Sequence, residues 1–341
     1  MHRLFVTGIL VSALAVPSCG GSDSSDSEGS VAISSSSTTS TQPVSRDVEV
    51  EFVYGPPDWP WTGDPTPLGA LVHGMADYTG DWTAASTYAS GQQSVDDASG
   101  GFTLSVLDGE VTGCGSGQFV FFDAFASHTS TGGWLIIPGF GTRDLASLSG
   151  SGVWETLDGV PGGAAAGGTI RGSVTCAGEG GSPQGSWFDA TPDAGSVEVD
   201  ATATFPAPTT LWETTVSPPG EDSATPPIAL SDGSVTLQFD GTWAGDAATV
   251  LAAATRPSAD GGFVDAMVMR FTGTVVGCGT GSLIVNVLDR VDGQDAPGFR
   301  SWEIIPDLGT GDLVGATGFG TGTVSAGEGT STFEGSMSCQ A

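Results

Sequence analysis

The sequence predicts an all-β protein: two tandem antiparallel β-barrels that follow a signal peptide and a disordered tether. Three observations carry this expectation. Short segments alternate apolar and polar residues, as in Val48-Glu-Val-Glu-Phe-Val53, Phe119-Val-Phe-Phe-Asp123, Val197-Glu-Val-Asp-Ala201 and Ser282-Leu-Ile-Val-Asn-Val287, and Gly, Asp, Asn or Pro bound them. No window of helical length keeps a 3.6-residue apolar period, and the nearest, 247–254, is short. The chain also repeats itself. The 54 Gly and 20 Pro among 341 residues disfavour long helices, while 38% hydrophobic residues is too many for a wholly disordered chain.

Residues 1–18 read as an export signal. Arg3 gives a positive start, and the apolar run 4–16 is too short to span a bilayer. The run ends in Val16-Pro17-Ser18-Cys19-Gly20, which resembles the lipobox of bacterial lipoproteins. That resemblance implies that Cys19 is lipidated and becomes the mature N-terminus. The chain is then expected to be lipid-anchored on the outer side of the bacterial cytoplasmic membrane. Residues 19–47 comprise this Cys and a Ser/Thr-rich tether with almost nothing to bury.

The remainder divides into repeat 1 (48–180), a Gly/Pro/Ser-rich linker (181–194) and repeat 2 (195–341). WLIIPGFGTRDLASLSGSG (134–152) and WEIIPDLGTGDLVGATGFG (302–320) are identical at ten of 19 positions. Upstream, GEVTGCGSGQFVF (109–121) matches GTVVGCGTGSLIV (273–285), and downstream TIRGSVTC (169–176) matches STFEGSMSC (331–339). Landmarks kept in this order mean a duplicated domain rather than a solenoid of short units. The Trp-x-Ile-Ile segments are expected to be central strands, and each Gly-Thr-x-Asp-Leu a tight turn in which Asp144 or Asp312 accepts bonds from local amides. Each repeat is long enough to be expected to fold alone.

The W-x-I-I-P-x-x-G-T-x-D-L-x-x-x-x-G-x-G element is similar to that of bacterial proteins of unknown function with the allene oxide cyclase barrel-like fold. The resemblance implies a barrel of about eight antiparallel strands with an apolar interior. Plant allene oxide cyclases and dirigent proteins fold up a reactive ligand in such barrels. None of their acidic or arginine site residues is carried over to this chain.

Export places the thiols in an oxidising compartment. With Cys19 set aside, four cysteines remain, and repeat equivalence selects Cys114–Cys176 and Cys278–Cys339 from three possible pairings. One pair per repeat without clustered His argues against a metal, and no cofactor is expected. Acidic residues outnumber basic ones 39 to 8, for a net charge of −31, and all the basic residues are Arg. That field repels phosphate backbones and excludes nucleic acid as a partner.

Other constellations are weaker. His73 and His128 have no counterpart in repeat 2, and no G-x-S-x-G elbow supports a Ser–His–Asp triad. His73, Met75 and Tyr78 are read as core filling on one strand face. Trp59, Trp61, Trp187 and Trp212 are read as caps of the barrel ends, with the lining of a ligand mouth as the alternative. Asp289, Asp292 and Asp295 lack the spacing of a calcium loop and are read as a solvated acidic loop. Catalytic residues are unassigned. The expected function is a non-catalytic binding or structural module for a small apolar ligand. The alternative is an isomerase or cyclase acting inside one barrel, favoured if a barrel holds a cavity with an ionisable group.

Overall fold

The computed structural model describes residues 45–55, 70–95, 98–126, 131–156, 166–176, 196–205, 214–216, 228–231, 236–255, 262–291, 297–325 and 328–339. Repeat 1 forms β1 (Ser45–Tyr54), β2 (Ala70–Gly80), β3 (Trp82–Val95), β4 (Ala98–Val111), β5 (Gly115–Ala126), β6 (Thr131–Ile136), β7 (Ser149–Thr156) and β8 (Ala166–Thr175). Each strand pairs antiparallel with the next, and β8 returns to β1 to close an eight-stranded barrel.

Repeat 2 forms β9 (Val197–Thr204), β10 (Thr214–Val216), β11 (Ile228–Ser231), β12 (Thr236–Gly241), β13 (Trp243–Thr255), β14 (Phe263–Val275), β15 (Gly279–Val291), β16 (Gly298–Ile304), β17 (Thr310–Gly311), β18 (Thr317–Ser325) and β19 (Thr330–Ser338). Pairing of β13 with β14 and of β19 with β9 closes a second barrel of eight strands, β9, β12 to β16, β18 and β19. The β10–β11 hairpin extends from the end of β13, and β17 rides on β15. The stretch 247–254 is strand: it lies within β13 and pairs with β14, with a register shift between Thr249 and Leu251. Among the described residues no helix is long and apolar enough to cross a membrane.

Closure leaves no unpaired edge among the eight strands of each barrel, and alternation sorts their side chains. On β1, Val48, Val50 and Phe52 turn inward between exposed neighbours. At one end of barrel 1, Trp82, Phe119, Phe121 and Trp134 pack with ring centroids 5.5–5.8 Å apart. Trp243, Phe271, Phe333 and Trp302 make the corresponding plug in barrel 2. The Cys114–Cys176 and Cys278–Cys339 disulfides join the start of β5 or β15 to the closing strand at this same end.

Strands β4, β5, β14 and β15 are buried on both faces, and the barrels themselves supply the cover. Phe102, Leu104, Val106, Val120, Phe122 and Ala124 point away from the interior of barrel 1. They form one cluster with Val264, Ala266, Val268, Ile284 and Leu288 from the outside of barrel 2. Asn286 donates to the Gly101 carbonyl at 2.7 Å across this seam, and Arg270 donates to Gln93 Oε1 at 3.3 Å. Residues 43–341 accordingly form a single compact unit. Burying each such Val, Leu, Ile or Phe stabilises by about 1.5–3 kcal/mol, so the seam is a third core beside the two barrel interiors.

Candidate functional site: a cavity in the first barrel

Opposite the aromatic plug, barrel 1 is not filled. A cavity of about 370 Å³ opens between the ends of β1, β3, β5 and β7 and the starts of β4 and β8. Its walls are mostly aromatic, with Phe52, Tyr54, Tyr78, Tyr88, Phe121, Phe125 and Trp154. Ser90, Gln92, Thr103 and Thr156 add polar groups, and Asp123 is the one carboxylate among the lining residues. Strand periodicity explains this placement. Asp123 lies two residues beyond Phe121 and four beyond Phe119 on β5, so it faces the interior with them.

Asp123 is only 6% exposed, and its Oδ2 has no hydrogen-bond partner among the described residues. Loss of hydration pushes its carboxyl up to about 8, although the hydroxyls of Thr103 and Tyr54 favour the charged form. It is therefore mainly a neutral acid at neutral pH. Burial first, and the neighbouring Asp123 second, raise the Tyr78 hydroxyl further above its ordinary range. Tyr78, Ser86 and Ser105 are buried together beside Asp123, and the two serine hydroxyls favour the charged form of Tyr78. An unsatisfied polar atom is costly in a dry interior, so Asp123 Oδ2 beside a cavity calls for a ligand or a water as its partner.

Strand register gives the counterparts in barrel 2. Thr103 pairs with Asp123, and Met267 with Val287. Ser105 pairs with Tyr88, and Met269 with Thr249. Two methionines and a valine thus stand where barrel 1 has Thr, Ser and Asp. Toward the open end, the Gly101–Phe125 pair becomes Asp265–Asp289, and Gly132–Trp154 becomes Arg300–Gly322. Arg300 is buried there. It donates to both Asp289 oxygens at 2.7 and 2.5 Å and to Ser331 at 2.7 Å, and its guanidinium lies 4.8 Å from the Phe333 ring. The Asp265 carboxyl is raised, first by loss of hydration and then by Asp289, with Arg300 opposing.

The residues singled out from the sequence fall into three groups. Asp144 Oδ2 accepts from the Ser116 N–H at 3.1 Å, and Asp312 Oδ2 from the Thr280 N–H at 3.0 Å. Both carboxylates press against a glycine of positive φ, Gly115 (107°) and Gly279 (116°), where a Cβ would come within 2.5 Å of the Asp Cβ. Cys19, His128, Asp292, Asp295, Trp59, Trp61, Trp187 and Trp212 lie outside the described residues, and His73 lies on β2.

Two readings are corrected. Met75 and Tyr78 are three apart on β2, an odd spacing, so Tyr78 points inward and Met75 is 36% exposed. Asp289 is not in a solvated loop; it belongs to β15 and is buried against Arg300. Among the described residues no group of three or more His, Cys, Asp or Glu could hold a metal ion.

Sequence reasoning placed Asp123 only at the end of an alternating strand. The available signal was its inward parity with Phe119 and Phe121. Tyr54, Tyr88 and Trp154 gave no signal, because only barrel closure brings their strands together.

No curated protein matches the chain. A crystal structure of a protein of unknown function from the DUF3224 family of Shewanella oneidensis MR-1 aligns with 42% of this chain and 99% of its own, at 17% identity and a TM-score of 0.32. Within repeat 2, residues 201–334 match the family described as "Protein of unknown function (DUF3224)".

Proposed function

We propose that this chain is a lipid-anchored extracytoplasmic binding protein whose first barrel takes up a small, largely apolar molecule, while its second barrel serves as a scaffold. The cavity beside Asp123 carries the reading, because a site that binds small molecules is concave, mostly apolar and has few polar anchors. The lipobox-like Cys19 and the tether supply the anchoring half. A second reading, an isomerase or cyclase of the kind known in allene oxide cyclase-like barrels, draws on Asp123 itself. A carboxyl held near 8 in an apolar wall is placed to pass a proton.

Two measurements test the proposal. Cys19→Ala should move the protein out of the membrane fraction, and unchanged retention refutes anchoring. N-phenyl-1-naphthylamine should brighten on binding the full chain. The signal should vanish when Thr103→Met, Ser105→Met and Asp123→Val give barrel 1 the interior of barrel 2. Equal brightening by this variant, with a cooperative melt retained, refutes the cavity as the site.

A further inference from the structure

The chemistry of the cavity wall restricts what the site can hold. Fourteen of the described residues line it, and none of these is Lys, Arg or His. An anionic ligand would meet no positive charge from these residues and would be repelled by Asp123 whenever that carboxyl is ionised. A pure hydrocarbon would fill the space yet leave Asp123 Oδ2 without a partner among the described residues. A cation suits three features together: a buried carboxylate oxygen, a phenolic oxygen able to accept, and an enclosure of aromatic rings.

The rings form a continuous wall. Tyr54 and Tyr88 have centroids 4.6 Å apart, Phe52 and Tyr54 5.2 Å, Phe52 and Tyr78 6.2 Å, and Phe52 and Trp154 6.5 Å. Their planes are inclined by 30–85°, so the wall presents both π faces and edges. The chain as a whole carries −31, a field that concentrates cations near its surface.

We propose that the occupant of barrel 1 is an organic cation: an ammonium group on an apolar body, with the ammonium against Asp123 and Tyr78 and the body along the aromatic wall. This rests on the reading of the cavity as a ligand site and adds the charge of the ligand. The contrast with barrel 2 supports it. At the same end of that barrel the protein supplies its own cation, Arg300, to a buried carboxylate beside an aromatic ring. In barrel 1, Gly132 stands at the position of Arg300, and no described residue brings a cation to Asp123.

Among the described residues, the titratable groups lining the cavity with Asp123 are Tyr54 on β1, Tyr78 on β2 and Tyr88 on β3, and burial holds the Tyr54 and Tyr78 hydroxyls above their ordinary range. Cation binding therefore displaces one proton, from Asp123.

The test is displacement of N-phenyl-1-naphthylamine from the full chain by 4-phenylbutylammonium and by its neutral isostere pentylbenzene. The expected result at pH 8 is at least a tenfold advantage for the ammonium. Its apparent affinity should rise about tenfold per pH unit below 8 and level off above, and Asp123→Asn should abolish the advantage. Equal displacement by both compounds, or stronger displacement by the hydrocarbon or at lower pH, overturns the cation and leaves the apolar-ligand reading standing. Failure of the naphthylamine itself to bind overturns both. Should Asp123→Asn not fold, the comparison of isosteres on the unaltered protein still decides.

Discussion

The two barrels share a topology, a disulfide, an Asp-held turn and an aromatic plug, yet treat their open ends in opposite ways. Barrel 2 fills its interior with Met267, Met269 and Val287 and closes the end with the buried Arg300–Asp289 pair. Barrel 1 puts Thr103, Ser105 and Asp123 at the matching positions and keeps a cavity. Conserved architecture with a changed interior separates the part of the fold that makes a barrel from the part that determines its contents. The disulfide end carries the first role in both copies. The opposite end is where the copies diverge, as is usual when function is grafted onto a stable scaffold.

The largest effect is expected from separating the barrels. Residues 195–341 expressed alone would expose Val264, Val268, Ile284 and Leu288, which are buried in the seam. An apolar patch of this kind does not stay in water as a monomer. The fragment should fold with a cooperative melt but sediment as a dimer or larger species. A well-behaved monomer would show that the seam contributes little and that the barrels are independent.

Next comes Arg300→Ala. It leaves Asp289 buried with no cation and should destabilise by about 3–5 kcal/mol in denaturant unfolding, as breaking a buried pair does. Arg143 and Asp108 make an exposed pair at 3.0 Å in barrel 1, and Arg143→Ala should cost under about 1 kcal/mol. If the two substitutions cost the same, the closed end of barrel 2 is not held by its ion pair.

The effect most specific to barrel 1 is the pH dependence due to Asp123. Its carboxyl rises from an ordinary value of about 4 to about 8 on folding, so the folded chain holds a proton that the unfolded chain releases. The contribution of this group to stability is full below about pH 4, falls as pH rises through the window and levels above about 8. Asp123→Asn should therefore melt a few degrees above the parent at pH 8 and close to it at pH 4. A constant difference across that range would mean that Asp123 is ionised and hydrated in the folded state.

The strand segments, the absence of long helices and the duplication were legible because each is a local pattern: period two, a high Gly and Pro content, and ordered landmarks. The cysteine pairing was legible for the same reason, since the spacing recurs at 62 and 61 residues. The cavity was not. Phe52, Tyr88, Asp123 and Trp154 come from four strands spread over about a hundred residues, and nothing local says that they meet. Nor did alternation reveal that β4, β5, β14 and β15 would be covered on their outer faces, because a strand buried on both sides reads simply as apolar. The sequence by itself determined the periodicity, the repeat and the chemistry of every side chain. Only tertiary closure decided which inward residues share a space, since contact depends on strand register and barrel curvature. That closure set an unpaired carboxylate among aromatic rings in one barrel and a guanidinium against a carboxylate in the other.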